Sequence, residues 1–159
     1  MTDKSTLMKY AINYLSKYSS SKANLKKILQ NKIRKLSNDK REKYLLYTLI
    51  EEIILKLENN DIINDLNYSL SKMRNFIFQG KSKAYIKSYL FQKGVEKDII
   101  LETLENFNLN SPEWEIESAK TFARKKNLLK DSEDREKKLS KMARAGFNYQ
   151  ISKKILDEI

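Results

Sequence analysis

The sequence predicts an all-α fold: a tandem array of three three-helix repeats, over residues 1–60, 61–110 and 111–159. Three observations carry that expectation. Only three Gly and one Pro interrupt 159 residues, so helical segments can run long between short connections. Apolar residues recur three and four apart almost throughout, while strand-like alternation is weak. Short segments also reappear at matching helix positions, as an array of small units requires.

Taken in order, Leu7, Ala11, Tyr14/Leu15 and Tyr18 make the apolar stripe of a first helix. Serines at 19–21 interrupt it, and Ser21 is placed to cap a second helix striped by Leu25, Ile28/Leu29 and Ile33. Asp39 with Glu42 has capping-box spacing and opens a third. Its apolar positions, Tyr44, Leu45, Tyr47, Leu49, Ile50, Ile53, Ile54 and Leu57, surround most of the circumference, which predicts deeper burial than its neighbours have. Asn64 or Asp65 caps a fourth helix carrying Leu66, Ser69/Leu70, Met73, Phe76 and Ile77. Gln79-Gly80-Lys81 ends it and Ser82 caps a fifth, with Ile86, Tyr89 and Leu90; Gly94 stands where a left-handed residue closes a helix. Val95 leads into Ile99/Ile100, Thr103/Leu104 and Phe107 of a sixth. Ser111 as N-cap, Pro112 at the first helical position and Glu113 and Glu115 in the first turn open a seventh, striped by Trp114, Ile116, Ala119, Phe122 and Ala123. Asp131 or Ser132 caps an eighth with Leu139, Met142 and Ala143, which stops at Gly146; Phe147, Ile151, Ile155 and Ile159 mark a ninth.

The internal similarity has two parts. Ser21-Lys22-Ala23-Asn24-Leu25-Lys26 matches Ser82-Lys83-Ala84-Tyr85-Ile86-Lys87, and Gly94-Val95, Ile99 and Leu104 match Gly146-Phe147, Ile151 and Leu156 at identical spacing. The first unit lacks the Gly and the third lacks the Ser-Lys-Ala. A fifty-residue three-helix unit buries too little surface to stand alone, so stacking is expected, with an elongated surface rather than one deep pocket.

Composition narrows the chemistry. With no His and no Cys, a zinc site, a thiol nucleophile, a disulfide and a Ser-His-Asp triad are excluded. Neither phosphate-cradling glycine motif occurs. Glu51-Glu52 and residues 131–134 are the main acidic clusters, and neither gives carboxylates converging from separate elements as two-metal chemistry needs. No catalytic residue, metal or cofactor is expected. Residues 1–14 carry no apolar signal region, and charges break the apolar stretch at 44–57; the default is a cytoplasmic protein without a membrane partner. The 32 Lys+Arg against 21 Asp+Glu give +11, which points to an acidic partner, most often nucleic acid. Lys supplies 26 of the 32, a bias that an AT-rich genome also produces, so arrangement outweighs the total.

Several segments in fixed order carry a resemblance. They are Tyr10-Ala11 with Leu15-Ser16 and Leu25…Leu29; Asn64-Asp65-x-x-Tyr68-Ser69; Ile86-x-x-x-Leu90-x-x-Lys93-Gly94-Val95; and Lys138-Leu139 with Arg144-Ala145-Gly146-Phe147-x-Tyr149. Over residues 7–159 the chain resembles the RecX family of RecA recombinase modulators. That family usually has two acidic residues at Asn64-Asp65, Ala at Ser69 and a Gly near Lys32-Ile33, and it is richer in Arg. The resemblance implies an elongated, curved monomer that lies in the groove of a RecA–DNA filament and inhibits filament extension and RecA activities. It also implies binding to single- or double-stranded DNA for some members. A stand-alone helical DNA-binding protein, such as a helix-turn-helix factor, is the alternative.

The candidate filament- or DNA-binding residues are basic. Residues 1–60 hold 13 basic and 6 acidic side chains, 61–110 hold 7 and 6, and 111–159 hold 12 and 9. Lys22, Lys26 and Lys27 lie on the second helix, with Lys22 and Lys26 sharing a face. Arg74, Lys81, Lys83 and Lys87 are the candidates of the middle unit. Arg124, Lys125 and Lys126 end a helix, where cations also suit its dipole. Lys137, Lys138, Lys141 and Arg144 follow, with Lys137, Lys141 and Arg144 on one face. Each group reads either as a phosphate contact or as a solvated helix face. Tyrosines are expected in the core, except Tyr85, which points away from Ile86 and Leu90; Trp114 is expected to staple its helix to the preceding unit.

Overall fold

The structure, a computed structural model, describes residues 3–130 and 134–157. These residues form nine helices and no strand: α1 (Lys4–Lys17), α2 (Lys22–Leu36), α3 (Lys40–Asn59), α4 (Asp65–Gln79), α5 (Lys83–Gln92), α6 (Lys97–Asn110), α7 (Trp114–Lys125), α8 (Arg135–Arg144) and α9 (Tyr149–Asp157). The all-α expectation holds.

Most helix starts follow from one side-chain acceptor meeting an orphan backbone donor. Asp3 accepts from the Thr6 N–H at 2.9 Å, which holds its carboxyl below the usual range. Ser21 accepts from Asn24, Asn64 from Asn67, Ser82 from Tyr85 and Asn148 from Ile151. Three starts differ from expectation. Asp39 caps α3 through the Arg41 N–H, but Glu42 does not reach back to it: the Ser37 hydroxyl sits between them, accepting from Asp39 N–H at 3.1 Å and donating to Glu42 at 2.9 Å. α7 begins at Trp114 rather than Pro112, because the Trp114 N–H closes a turn on the Ser111 carbonyl. α8 is capped by Asp134; the expected caps Asp131 and Ser132 lie outside the described residues, as does Ile159.

The helices pack as two compact units. One runs to Tyr68 and takes in Lys93–Val95; the other comprises Ser69–Gln92 and the residues from Glu96 onward. In the first, α1 and α2 pack on α3 around Leu7, Ala11, Leu25, Leu29, Ile33, Ile50, Ile53 and Leu57. Each Leu or Ile among them, once buried, stabilises by about 1.5–3 kcal/mol. α3 buries more residues than α1 or α2, as expected, namely Leu46, Ile50, Ile53, Ile54 and Leu57, but only on one side: Tyr44, Leu45 and Leu55 are more than half exposed. In the second unit, α7 and α8 pack on α9 around Ala119, Ala123, Met142, Phe147 and Ile155.

Each unit contains a joint of the same chemistry. In the first, Ser21 Oγ donates to the Lys93 carbonyl, the Lys22 N–H donates to Asp65 at 2.8 Å, and Gly94, at φ +76°, lies against the Ala23 methyl. In the second, Ser82 Oγ donates to the Ala145 carbonyl at 2.7 Å, the Lys83 N–H donates to Glu115 at 3.0 Å, and Gly146, at φ +97°, lies against Ser82 and Ala84. Only glycine suits these turns: they need left-handed backbone, and a Cβ would strike the docked helix start.

Two expectations follow. Left-handed backbone costs a non-glycine residue about 1–2 kcal/mol, and at Gly146 the new methyl also meets Ser82. Gly146→Ala should therefore lose at least that much unfolding free energy in urea at unchanged m; an unmoved midpoint would contradict the joint. Burial raises the Asp65 carboxyl above its ordinary 3.8, with Glu58 adding to the rise, while the Lys22 N–H and ammonium oppose it. The native state then binds this proton more tightly than the unfolded chain. Its contribution is full below pH 3.8 and is lost as pH rises through the native value. Asp65→Asn keeps an acceptor for Lys22 and removes that dependence, so its stability curve should be flatter above pH 3.8 than the wild type's. Parallel curves would assign the slope elsewhere.

Candidate functional site

The second unit holds a groove of about 650 Å³ lined by Lys81, Lys125, Lys126 and Arg144. Tyr85 and Phe122 give it apolar walls, and no carboxylate lines it. The sequence supplies the cations from three elements, and the packing gathers them. Gly80, at φ +85°, lets the turn after α4 approach the Phe122 backbone, where a Cβ would sit 2.8 Å from its nitrogen. Ser118 Oγ donates to the Lys81 carbonyl, fixing that turn on α7. The Ser82 hydroxyl holds the carbonyl of Ala145, the residue after Arg144. Lys125 Nζ donates to the Gln79 carbonyl at 3.1 Å, and Lys81 Nζ stands 4.7 Å from the centre of the Tyr85 ring.

Among the described residues, none of these four cations forms an ion pair. Four like charges around one hollow repel each other, and an oxyanion placed there relieves the repulsion. Carbonyl and ring contacts leave each ammonium donors to spare. A phosphate or a row of carboxylates is the chemistry this groove accepts. Among the described residues no group of three or more acidic side chains could hold a metal ion.

The other basic candidates fare differently. Lys22 and Lys26 pair with Glu58 at 2.7 Å and Glu51 at 2.8 Å, which offsets much of the charge on that face of α2. Lys27, Lys83, Lys87 and Lys137 are exposed, as are Arg74 and Arg124. Arg124 leans on the Lys120 carbonyl. Lys141 is half-buried and engaged. Lys138 departs from the expected basic face: it is 6% exposed, and its Nζ donates to the Lys130 carbonyl at 2.7 Å. The turn before α8 brings that carbonyl to the ammonium, so this lysine is structural. Sequence reasoning missed Gln79, Gly80 and Phe122 as groove formers; nothing in their spacing marks a close approach of two backbones.

The chain is 28% identical over 155 residues to "Regulatory protein RecX" of Myxococcus xanthus, covering 92% of this chain and 82% of that one. It also superposes on the crystal structure of RecX from Lactobacillus salivarius with a TM-score of 0.69 and 27% identity, over 98% of this chain and 97% of that one. The chain is RecX-like in sequence and in fold. A RecX from Streptococcus agalactiae is 30% identical over 112 residues, and there the chain matches only 43% of the longer relative. A second RecX crystal structure shares the fold, with a TM-score of 0.72 at 21% identity. No family model matches the chain. The RecX relatives are named regulatory proteins, and this chain is a RecX-like regulatory protein. Among its described residues no helix is long and apolar enough to cross a membrane.

The contrast between adjacent lysines is testable. Lys137→Ala should stay within about 0.5 kcal/mol of wild type, as exposed substitutions do. Lys138→Ala should lose about 1 kcal/mol or more, since a buried stem and a charge-assisted hydrogen bond go together. Thermal unfolding of both variants reads the difference; equal shifts would return Lys138 to the surface.

Proposed function

We propose that this RecX-like chain regulates a RecA recombinase by seating on the RecA–DNA filament, where it hinders filament extension and the activities that depend on it. The carboxylate-free groove of Lys81, Lys125, Lys126 and Arg144 carries this reading. A nucleoprotein filament is polyanionic, and a chain of net charge +11 is steered toward it. The groove then supplies a place where phosphates stay: three point charges and one guanidinium, with Tyr85 as an apolar wall. Lysines neutralise phosphate without demanding one geometry, which suits a backbone contact that reads no sequence.

The division into three repeats is part of the same proposal. Two joints of equal chemistry support it, one binding residues 21–23 to Gly94 and one binding residues 82–84 to Gly146. Three units in series need two joints. Where a third would lie, α2 ends on Ser37 with extended backbone and no glycine, and the α8 cap Asp134 serves its own helix.

The test adds the chain to RecA, single-stranded DNA and ATP and follows ATP hydrolysis and filament length. Wild type should slow both at near-stoichiometric amounts. The variant with Lys81, Lys125, Lys126 and Arg144 all changed to Ala should bind filaments more weakly, with a log–log salt slope lower by about 3. No effect of wild type on RecA, together with tight binding to naked duplex, would overturn the filament reading in favour of a DNA-binding module.

A further inference from the structure

A second surface of the same unit has the opposite chemistry. Arg74 and Ile77 near the end of α4, Phe107 of α6 and Pro112 before α7 enclose a slot of about 380 Å³, rimmed by Glu113 and Glu117. Trp114 closes its floor: the ring is 4% exposed, and Nε1 donates to Asn108 at 2.9 Å. The first unit has a cleft of similar size in a comparable setting, between the end of α1 and the turn into α4. That cleft mixes Leu15, Tyr18, Ile62 and Ile63 with Ser16, Lys17, Ser19, Asp61, Asn64 and Asn67, and exposes more polar than apolar surface, the reverse of the slot. The fold therefore does not require an apolar slot at such a position.

Three features decide what the slot takes. Its walls are apolar and open to solvent. Its rim carries a cation without an ion pair among the described residues, Arg74, and carboxylates at Glu113 and Glu117, the latter 3.9 Å from Lys120. Carboxylates repel phosphate, so nucleic acid does not fit. A second copy of a +11 chain is opposed by its own charge. A neutral apolar anchor between one acidic and one basic residue fits all three features.

We propose that the slot receives a protruding aromatic or branched aliphatic side chain from a protein partner, whose flanking acidic residue meets Arg74 and whose basic residue meets Glu113. This rests on the filament reading above and assigns the slot to the protein part of the filament, while the cationic groove takes the phosphates. Buried anchors with polar rims concentrate binding energy in this way.

Two variants test it. Ile77→Asp places a charge in the slot. The double variant Arg74→Glu, Glu113→Lys reverses the rim at two exposed positions and leaves net charge unchanged, so long-range steering is constant. Binding of labelled protein to RecA–single-stranded DNA filaments and to naked single-stranded DNA is measured by anisotropy, with circular dichroism as the folding control. Each variant should lose about tenfold or more in filament affinity, with naked-DNA affinity within about twofold of wild type. The double variant, folded and binding filaments like wild type, would overturn the slot while leaving the filament reading intact. Equal loss on naked DNA would reassign the slot to nucleic acid. Wild type failing to bind filaments at all would overturn the filament reading, and the slot's assignment with it.

Discussion

The structure depends on one docking arrangement: a serine-capped helix start seated on a left-handed glycine turn. The serine hydroxyl has two tasks, accepting from its own helix and donating to the carbonyl beside the glycine. An exposed loop would leave that carbonyl to water; here it is partly buried and needs a donor. The residue after the serine offers one further N–H, and in each joint a carboxylate accepts it: Asp65 in one case and Glu115 in the other. The joint is therefore satisfied by short polar contacts and admits no bulk. The cationic groove is a consequence, since the Ser82 joint and the Gly80 approach set Lys81 next to the ends of α7 and α8.

Charge acquires meaning only through that placement. Unit-by-unit counts put the largest basic excess in residues 1–60, yet Lys22 and Lys26 there are paired with α3 carboxylates. In the second unit, where the count is more balanced, four cations without an ion pair among the described residues line one groove. A surface pair is worth little to stability, but it removes a cation from the field that a polyanion feels. Distribution after folding, rather than the total, selects the face a polyanion would meet.

Much of this was legible in the sequence. Stripes at helical spacing mark each of the nine helices among the described residues, and Ser21, Ser82, Gly94 and Gly146 read as boundary residues because caps and left-handed turns have residue-specific chemistry. The two internal matches, Ser-Lys-Ala and Gly-Val/Phe, were visible as repeats. Their docking on each other was not, because sequence periodicity describes one helix at a time. The same limit explains Lys138, which shares a helix with exposed Lys137 and is buried by a turn that periodicity cannot place. It also explains Tyr44 and Leu45: a helix that looks apolar all round is covered only where neighbours lie, and α1 and α2 lie on one side.

Lysine in place of arginine has a consequence for specificity. Three of the four groove cations are ammonium groups on flexible stems, able to follow a phosphate backbone but poor at fixing its register. A contact of that kind would hold any nucleic acid about equally well, whether bare or coated. Discrimination in favour of a coated strand then needs a feature that bare nucleic acid cannot satisfy. An apolar slot with carboxylates on its rim is such a feature, because phosphate is repelled and a protein side chain is not. In the proposed complex the groove governs attraction and salt response, while the slot, worth little to a naked strand, confines tight binding to a filament that presents protein and phosphate together.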